Sequence, residues 1–261
     1  MLPDVRGFWF GSALSKIEQL CIRSFQDHGH RFVLFRYGEL SGIPQGTEVR
    51  DANELIPKPE VRPFVQRGNL ASFADWFRWE LLRREGGYWV DLDIICLAPF
   101  DFEEEVVFGY QHDDTPNQAV VRFPSNHPAV RDIVDRCENP NRFRAEDSPR
   151  RRVKKLARRV LGNSRAWLDW AEGGGPIGFK TVVVNHGLMR FCKPYTVFYP
   201  VHNVHFRTLF DDTFARDEHF FADTRAVHLW NEVARRYTEW DKNATFHPDS
   251  VIERLKRRHR V

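Results

Sequence analysis

The chain has 261 residues, 42% of them apolar and 14% aromatic, with 22 Phe and 8 Trp. That is enough for a substantial core in one large domain and excludes wholesale disorder. The formal net charge is only +3, and with no recognisable binding motif this excludes a dedicated nucleic-acid binder.

Gly7–Gly11, GFWFG, reads as a first buried strand. Trp9 near its end reads equally as a core ring or as a flat platform for a base. Ser12 or Ser15 caps a following helix, with Leu14, Ile17, Cys21 and Phe25 at helical spacing. Arg31–Arg36 is a second strand, and a strand–helix–strand start predicts a parallel sheet with ligands at its strand ends. Gly38–Arg62 is an irregular connection with a short helix near Asp51–Glu54.

Phe73–Leu97, FADWFRWELLRREGGYWVDLDIICL, is the most informative stretch. It starts as an amphipathic helix, stops at Gly86-Gly87, becomes an apolar strand and reaches Asp91-Leu92-Asp93. Asp75 and Arg78 are three apart and share a helical face. In an extended segment residues i and i+2 point the same way, so Asp91 and Asp93 project together. Two close carboxylates repel unless a cation or proton sits between them. Mg²⁺ or Mn²⁺ answers that repulsion, commonly with substrate phosphates as further ligands.

Further on, Glu104–Tyr110 reads as a strand and Asn117–Phe123 as an alternating one, and His127-Pro128 opens an apolar helix through Cys137. Pro149–Val160 carries seven Lys and Arg and no acid, with Val153, Leu156, Ala157 and Val160 on one helical face. Two readings stay open: a solvated helix whose stems cover core, or contact with an anionic membrane or a phosphate-bearing acceptor. The C-terminal run Val251–Val261 repeats the pattern. Gly173-Gly174-Gly175-Pro176 stops the chain before a helix through His186. In Ala226–Asn231, Val227 and Leu229 face one way, His228 and Trp230 the other. Four scattered cysteines without a CxxC pair fit a reducing compartment rather than a zinc site or disulfide scaffold. No apolar run is long enough to span a bilayer, and no leader segment is evident.

The compound pattern Asp75-x-x-Arg78, Gly86-Gly87-Tyr88, Asp91-Leu92-Asp93 resembles the DXD-containing sugar transferases. That family includes fungal Golgi mannosyltransferases and bacterial capsule and lipopolysaccharide transferases, and the glucosylating domain of large bacterial toxins is a relative. Gly175-Pro176 with Thr181, a strand ending Phe198-Tyr199-Pro200, and His228-x-Trp230 resemble further landmarks of the family. The resemblance implies an α/β fold of GT-A type over residues 1–261, a mixed, mostly parallel sheet flanked by helices, with 140–172 a basic helical insertion on the acceptor side. It implies metal-dependent, retaining transfer of a hexose from a UDP- or GDP-sugar to a saccharide or lipid-linked acceptor in surface polysaccharide synthesis.

The same resemblance implies roles. Asp93 binds Mn²⁺ or Mg²⁺, with Asp91 on the metal, ribose or sugar. His228 completes the metal shell or holds the diphosphate, and its imidazole favours Mn²⁺. Asp75 and Arg78 fix the donor sugar, Trp9 stacks on the base, and Gly175, Trp230 and Asn231 lie along the donor. Asn117, or Gln118 beside it, is the candidate polar group beneath the anomeric carbon. Eukaryotic members of the family are membrane-anchored, so this chain is expected to be a bacterial cytoplasmic enzyme, peripheral at the inner membrane face through residues 150–160 and its C-terminus. The alternative is a non-catalytic glycan-binding or assembly module with the same fold.

Overall fold

A computed structural model describes residues 2–112, 114–169, 173–216, 221–236 and 240–261. Residues 170–172 of the expected insertion lie outside them. In chain order the elements begin with β1 (Val5–Trp9), α1 (Lys16–Asp27), β2 (Phe32–Arg36), β3 (Glu48–Asp51), α2 (Arg62–Gln66), α3 (Leu70–Glu85), β4 (Gly87–Val90), β5 (Ile94–Cys96), β6 (Val107–His112) and β7 (Thr115–Phe123). They continue with α4 (Pro128–Glu138), α5 (Pro149–Val160), α6 (Pro176–Asn185), β8 (Cys192–Lys193), α7 (Tyr195–Phe198), β9 (Ala226–His228), α8 (Asn231–Ala234) and α9 (Val251–His259). The contacts divide the chain into two compact units, Met1–Asp51 with Gly87–Arg122 and Cys192–Val261, and Ala52–Gly86 with Phe123–Phe191.

The first unit holds the seven-stranded sheet, in the order β3-β2-β1-β4-β7-β6-β8. β1 pairs parallel with β2 and β4, and β2 pairs parallel with β3. β6 runs antiparallel to β7 and parallel to β8. The expected mixed, mostly parallel α/β sheet is therefore present. Val5 pairs with Tyr88, so Trp9 and the residues after β4 share the carboxyl edge of the sheet, where α/β sheets present ligands. β5 and β9 form a separate antiparallel pair.

Ser15 starts α1 through a capping box: its hydroxyl accepts from the Ile17 N–H, and the Glu18 carboxylate accepts from the Ser15 N–H at 2.8 Å. The buried stripe Ile17, Leu20, Cys21, Phe25 packs into a core with Val5, Leu34, Val90 and Ile94. Each such side chain contributes about 1.5–3 kcal/mol on burial. α9 turns Val251, Ile252 and Leu255 into this core. The expected strand ending at Pro200 is absent; Tyr195–Phe198 makes a one-turn helix after Pro194, whose fixed φ suits a helix start. The helix expected near Asp51–Glu54 is a single 3₁₀ turn, Ala52–Glu54.

The second unit is helical. α3 is buried nearly all round: Phe73, Trp76, Phe77, Trp79, Leu81 and Leu82 are inside together with Asp75, Arg78 and Glu80. The amphipathic expectation therefore gives way to an interior helix whose charges are paired. α4 packs on α3 and on α6. The Trp79 indole donates to the Gly174 carbonyl at 2.8 Å. A Cβ on Gly174 would lie 2.6 Å from that indole and 2.8 Å from the Cys137 sulfur, so only glycine permits this packing. No helix among the described residues is long and apolar enough to cross a membrane.

Gly86 ends α3 at φ 65, ψ −158, a region essentially open to glycine alone, and a Cβ there would lie 2.4 Å from the Ser125 nitrogen. Gly86→Ala is expected to cost on the order of 2–4 kcal/mol in denaturant unfolding. Gly68 also has positive φ but meets nothing within 4 Å. Gly68→Ala should cost about 1–2 kcal/mol.

His30 provides a second test. Its Nδ1–H donates to the Pro3 carbonyl at 2.8 Å, and its Nε2 accepts the Phe100 N–H at 2.9 Å. Both nitrogens are used by the neutral ring, and burial pushes its pKa below the ordinary histidine value. The unfolded chain takes up the proton first, so this contribution is complete above about pH 6.5 and is lost as pH falls toward the depressed folded value. The denaturation midpoint should fall from about pH 7.5 to about pH 5.5, and His30→Gln should flatten that fall.

Candidate functional site

β4 ends at Val90, one residue before the acidic pair. The Ile94 N–H bonds the Asp91 carbonyl at 3.0 Å, closing a four-residue turn over Asp91–Ile94. Strand alternation therefore does not set where Asp91 and Asp93 point; the turn does. The Asp91 carboxylate accepts from the Trp89 indole at 2.7 Å, and its backbone N–H bonds the Ala119 carbonyl of β7 at 2.8 Å.

Asp93 is 8% exposed. Its Oδ2 lies 3.2 Å from His228 Nε2 and accepts the Asn231 N–H at 2.8 Å. These partners, more than 130 residues away, arrive through β9: Ile94, Ile95 and Cys96 pair with His228, Val227 and Ala226, and the Leu229 N–H bonds the Asp93 carbonyl at 2.9 Å. Trp230 then turns the chain with φ 57, ψ 42, a left-handed conformation rare for a bulky residue. It is held there by its indole bond to the Val201 carbonyl at 2.9 Å and by its ring 4.1 Å from that of His228. The strain, about 1–3 kcal/mol, directs the next N–H onto Asp93.

Burial alone would raise the Asp93 pKa. Together, His228, the Asn231 amide and the charge of Lys242 outweigh burial, and the carboxyl lies below its ordinary value. Asp93 is therefore an anion at neutral pH. His228 Nδ1 and Asn231 Oδ1 are buried without a hydrogen-bond partner among the described residues. Leaving such atoms unmatched costs about 1–3 kcal/mol each.

Lys242, which no motif announces, lies close enough for its charge to act on Asp93. Its Nζ lies 5.0 Å from the centroid of the Trp9 ring and 2.5 Å from the carboxylate of the wholly buried Glu18. The Trp9 indole donates to the Ala13 carbonyl at 3.0 Å, which leaves the ring half-buried at the end of β1. No motif marks Trp89 either, whose indole holds the Asp91 carboxylate. Asn117 is committed at both ends: its Oδ1 accepts the Ala119 N–H at 2.7 Å, and its Nδ2 donates to Gln111 at 3.0 Å beside a register shift between β6 and β7. Gln118 is buried.

The remaining candidates lie in the second unit. Arg78 Nη1 and Asp75 Oδ1 are 3.0 Å apart on α3, both nearly excluded from water. Gly175 is the N-cap of α6 and supplies no capping side chain.

A cation is compatible with Asp93 and His228. Their 3.2 Å spacing is close to the roughly 3 Å between adjacent ligands of a metal bound at about 2.1 Å. One carboxylate with one imidazole also suits Mn²⁺. Among the described residues no group of three or more His, Cys, Asp and Glu side chains is spaced to hold a metal. Asp91 therefore does not join Asp93 and His228 in such a cluster.

No family model and no curated protein matches the sequence. Among solved structures, the chain is similar to the PaToxG glycosyltransferase, with 15% identity, a TM-score of 0.48 and coverage of 71% of this chain and 70% of that one. It is also similar to the glycosyltransferase domain of the YGT toxin, ligand-free and UDP-bound, with 9% identity and a TM-score of 0.47 for each. These matches cover 74% of this chain and 80% and 79% of the other. Likeness of this degree carries no residue-level role, and the chemistry rests on the side chains themselves.

Proposed function

We propose that the chain is a metal-dependent glycosyltransferase that moves a hexose from a UDP- or GDP-sugar to a saccharide or lipid-linked acceptor, in the setting of surface polysaccharide synthesis. The observation that carries this reading is the buried Asp93 anion at the carboxyl edge of the sheet, facing His228 and Asn231, in the chain's one Asp-x-Asp turn.

Asp93 and His228 would hold the cation, and diphosphate and water would fill the rest of its shell. When bound, Mn²⁺ or Mg²⁺ supplies Lewis-acid neutralisation of the leaving diphosphate. Lys242 adds a fixed positive charge for phosphate oxygens, and the Trp9 ring beneath it offers a stacking face to the base. Asn231 Oδ1 is an acceptor waiting for a donor such as a sugar hydroxyl. The motif assigns Asp75 and Arg78 to the donor sugar; their support is that both are buried, paired and presented from a rigid helix, with Arg78 a planar fork. Retention of anomeric configuration enters through the motif alone, with Asn117 or Gln118 as its polar group.

Three measurements test this. Calorimetry with UDP or GDP should show Mn²⁺-dependent binding to the wild type and none to Asp93→Ala; the absence of metal-dependent nucleotide binding would instead favour a glycan-binding module. Across a panel of nucleotide sugars, Asp93→Ala should lower Mn²⁺-dependent hydrolysis by about a hundredfold or more. Lys242→Gln should raise the donor KM about tenfold, whereas Lys242→Arg should keep it near wild type.

A further inference from the structure

α5 is built inside out. A helix of a globular domain turns its apolar stripe inward. On α5 the stripe Val153, Leu156, Ala157, Val160 faces water: Val153 is 68% exposed, Leu156 53% and Val160 81%, and the following Leu161 is 68% exposed. The residue facing inward is Lys155, 4% exposed. Its ammonium donates to both Asp147 carboxylate oxygens, at 2.9 and 2.8 Å, and to the Arg142 carbonyl at 3.0 Å. Beside it, Arg159 Nε donates to the Asn141 carbonyl at 2.8 Å. These bonds fix which way the helix faces. Rolling it to bury the stripe would strip a buried carboxylate of its partner.

The cations are placed to match. At 100° per residue, Arg150 and Lys154 border one edge of the stripe, and Arg152 and Arg159 border the other; Lys154 pairs with Asp169 at 3.2 Å and Arg159 with the Asn141 carbonyl, which leaves Arg150 and Arg152 facing outward. Arg150 and Arg152 are exposed and meet no acid among the described residues. No Asp or Glu occurs between Asp147 and Asp169. An occupant of this face must therefore be apolar at its centre and anionic around it. A second copy of the chain offers the same cations and would be repelled. An anionic bilayer surface offers both features, with acyl carbons beneath a negative headgroup layer.

We infer that the outward face of α5 is a membrane-docking surface, which lies in the plane of an anionic phospholipid leaflet with Val153, Leu156 and Val160 among the acyl chains and Arg150 and Arg152 on headgroups. α9 has a similar basic sequence but buries Val251, Ile252 and Leu255, and so has no stripe to insert. The inference is independent of the transferase reading, since it invokes no donor-site residue.

The test is sedimentation of the full chain with vesicles of phosphatidylcholine alone or with about a third phosphatidylglycerol. The wild type should partition at least about tenfold more strongly to the anionic vesicles and lose binding as salt is raised. Leu156→Asp with Val160→Asp should lower that partitioning about tenfold or more, and Arg150→Gln with Arg152→Gln should lower it several-fold. Both variants should keep the wild-type melting temperature, because the altered side chains are exposed. Three results overturn the proposal: wild type remaining in the supernatant, equal binding to neutral vesicles, or a folded double aspartate variant that sediments like wild type. A concentration-dependent dimer abolished by the aspartates would overturn it too, by assigning the face to a second copy.

Discussion

A single buried carboxylate holds the far end of the chain to its middle. Asp93 sits in the turn between β4 and β5, and the groups that satisfy it, His228 and the Asn231 amide, belong to the segment leaving β9. Removing such an anion from water is costly unless its partners are close and well aimed. The β5–β9 pairing sets the distance, and the left-handed Trp230 sets the aim. Two buried atoms beside it, on His228 and Asn231, are left unmatched among the described residues once that internal demand is met.

Much of the first unit is legible in residues 1–36 and 87–122. The capping residue Ser15, the apolar spacing of α1 and the βαβ order each follow from local chemistry, and each recurs in the fold. Gly86 was readable because a helix stop followed at once by a strand requires a backbone that side chains forbid. The acidic pair was readable in kind but not in geometry. Extended alternation applies only inside a strand, and a turn begins one residue after Val90. Lys242 could not have been found at all. It reaches Trp9 and Glu18 across more than 200 residues, and no spacing rule operates over that separation.

α3 and α5 show a different limit of sequence patterning. Periodicity states that a helix has two kinds of face, but not which one meets the core. α3 reads as amphipathic, yet its charged side is interior because Asp75 with Arg78, and Glu80 with Arg83 and Arg84, neutralise each other in place. α5 and α9 share a basic, apolar-striped pattern and use it oppositely. In α5 the buried Lys155 is held by Asp147 and the Arg142 carbonyl, outside the helix, whereas in α9 the buried Lys256 pairs with Glu253 of its own helix.

The pairing of β5 with β9 carries a consequence for biosynthesis. A ribosome delivers the chain from its amino end, and Ile94–Cys96 emerges long before Ala226–His228 exists. Closing a contact across so many residues is slow and comes late. The early strands can assemble during translation, whereas the Asp93 clasp must wait until Ala226–Asn231 has left the ribosome. A nascent polypeptide thus contains its acidic turn without the groups that organise it, and the Asp93 cluster forms only after His228 and Asn231 have emerged.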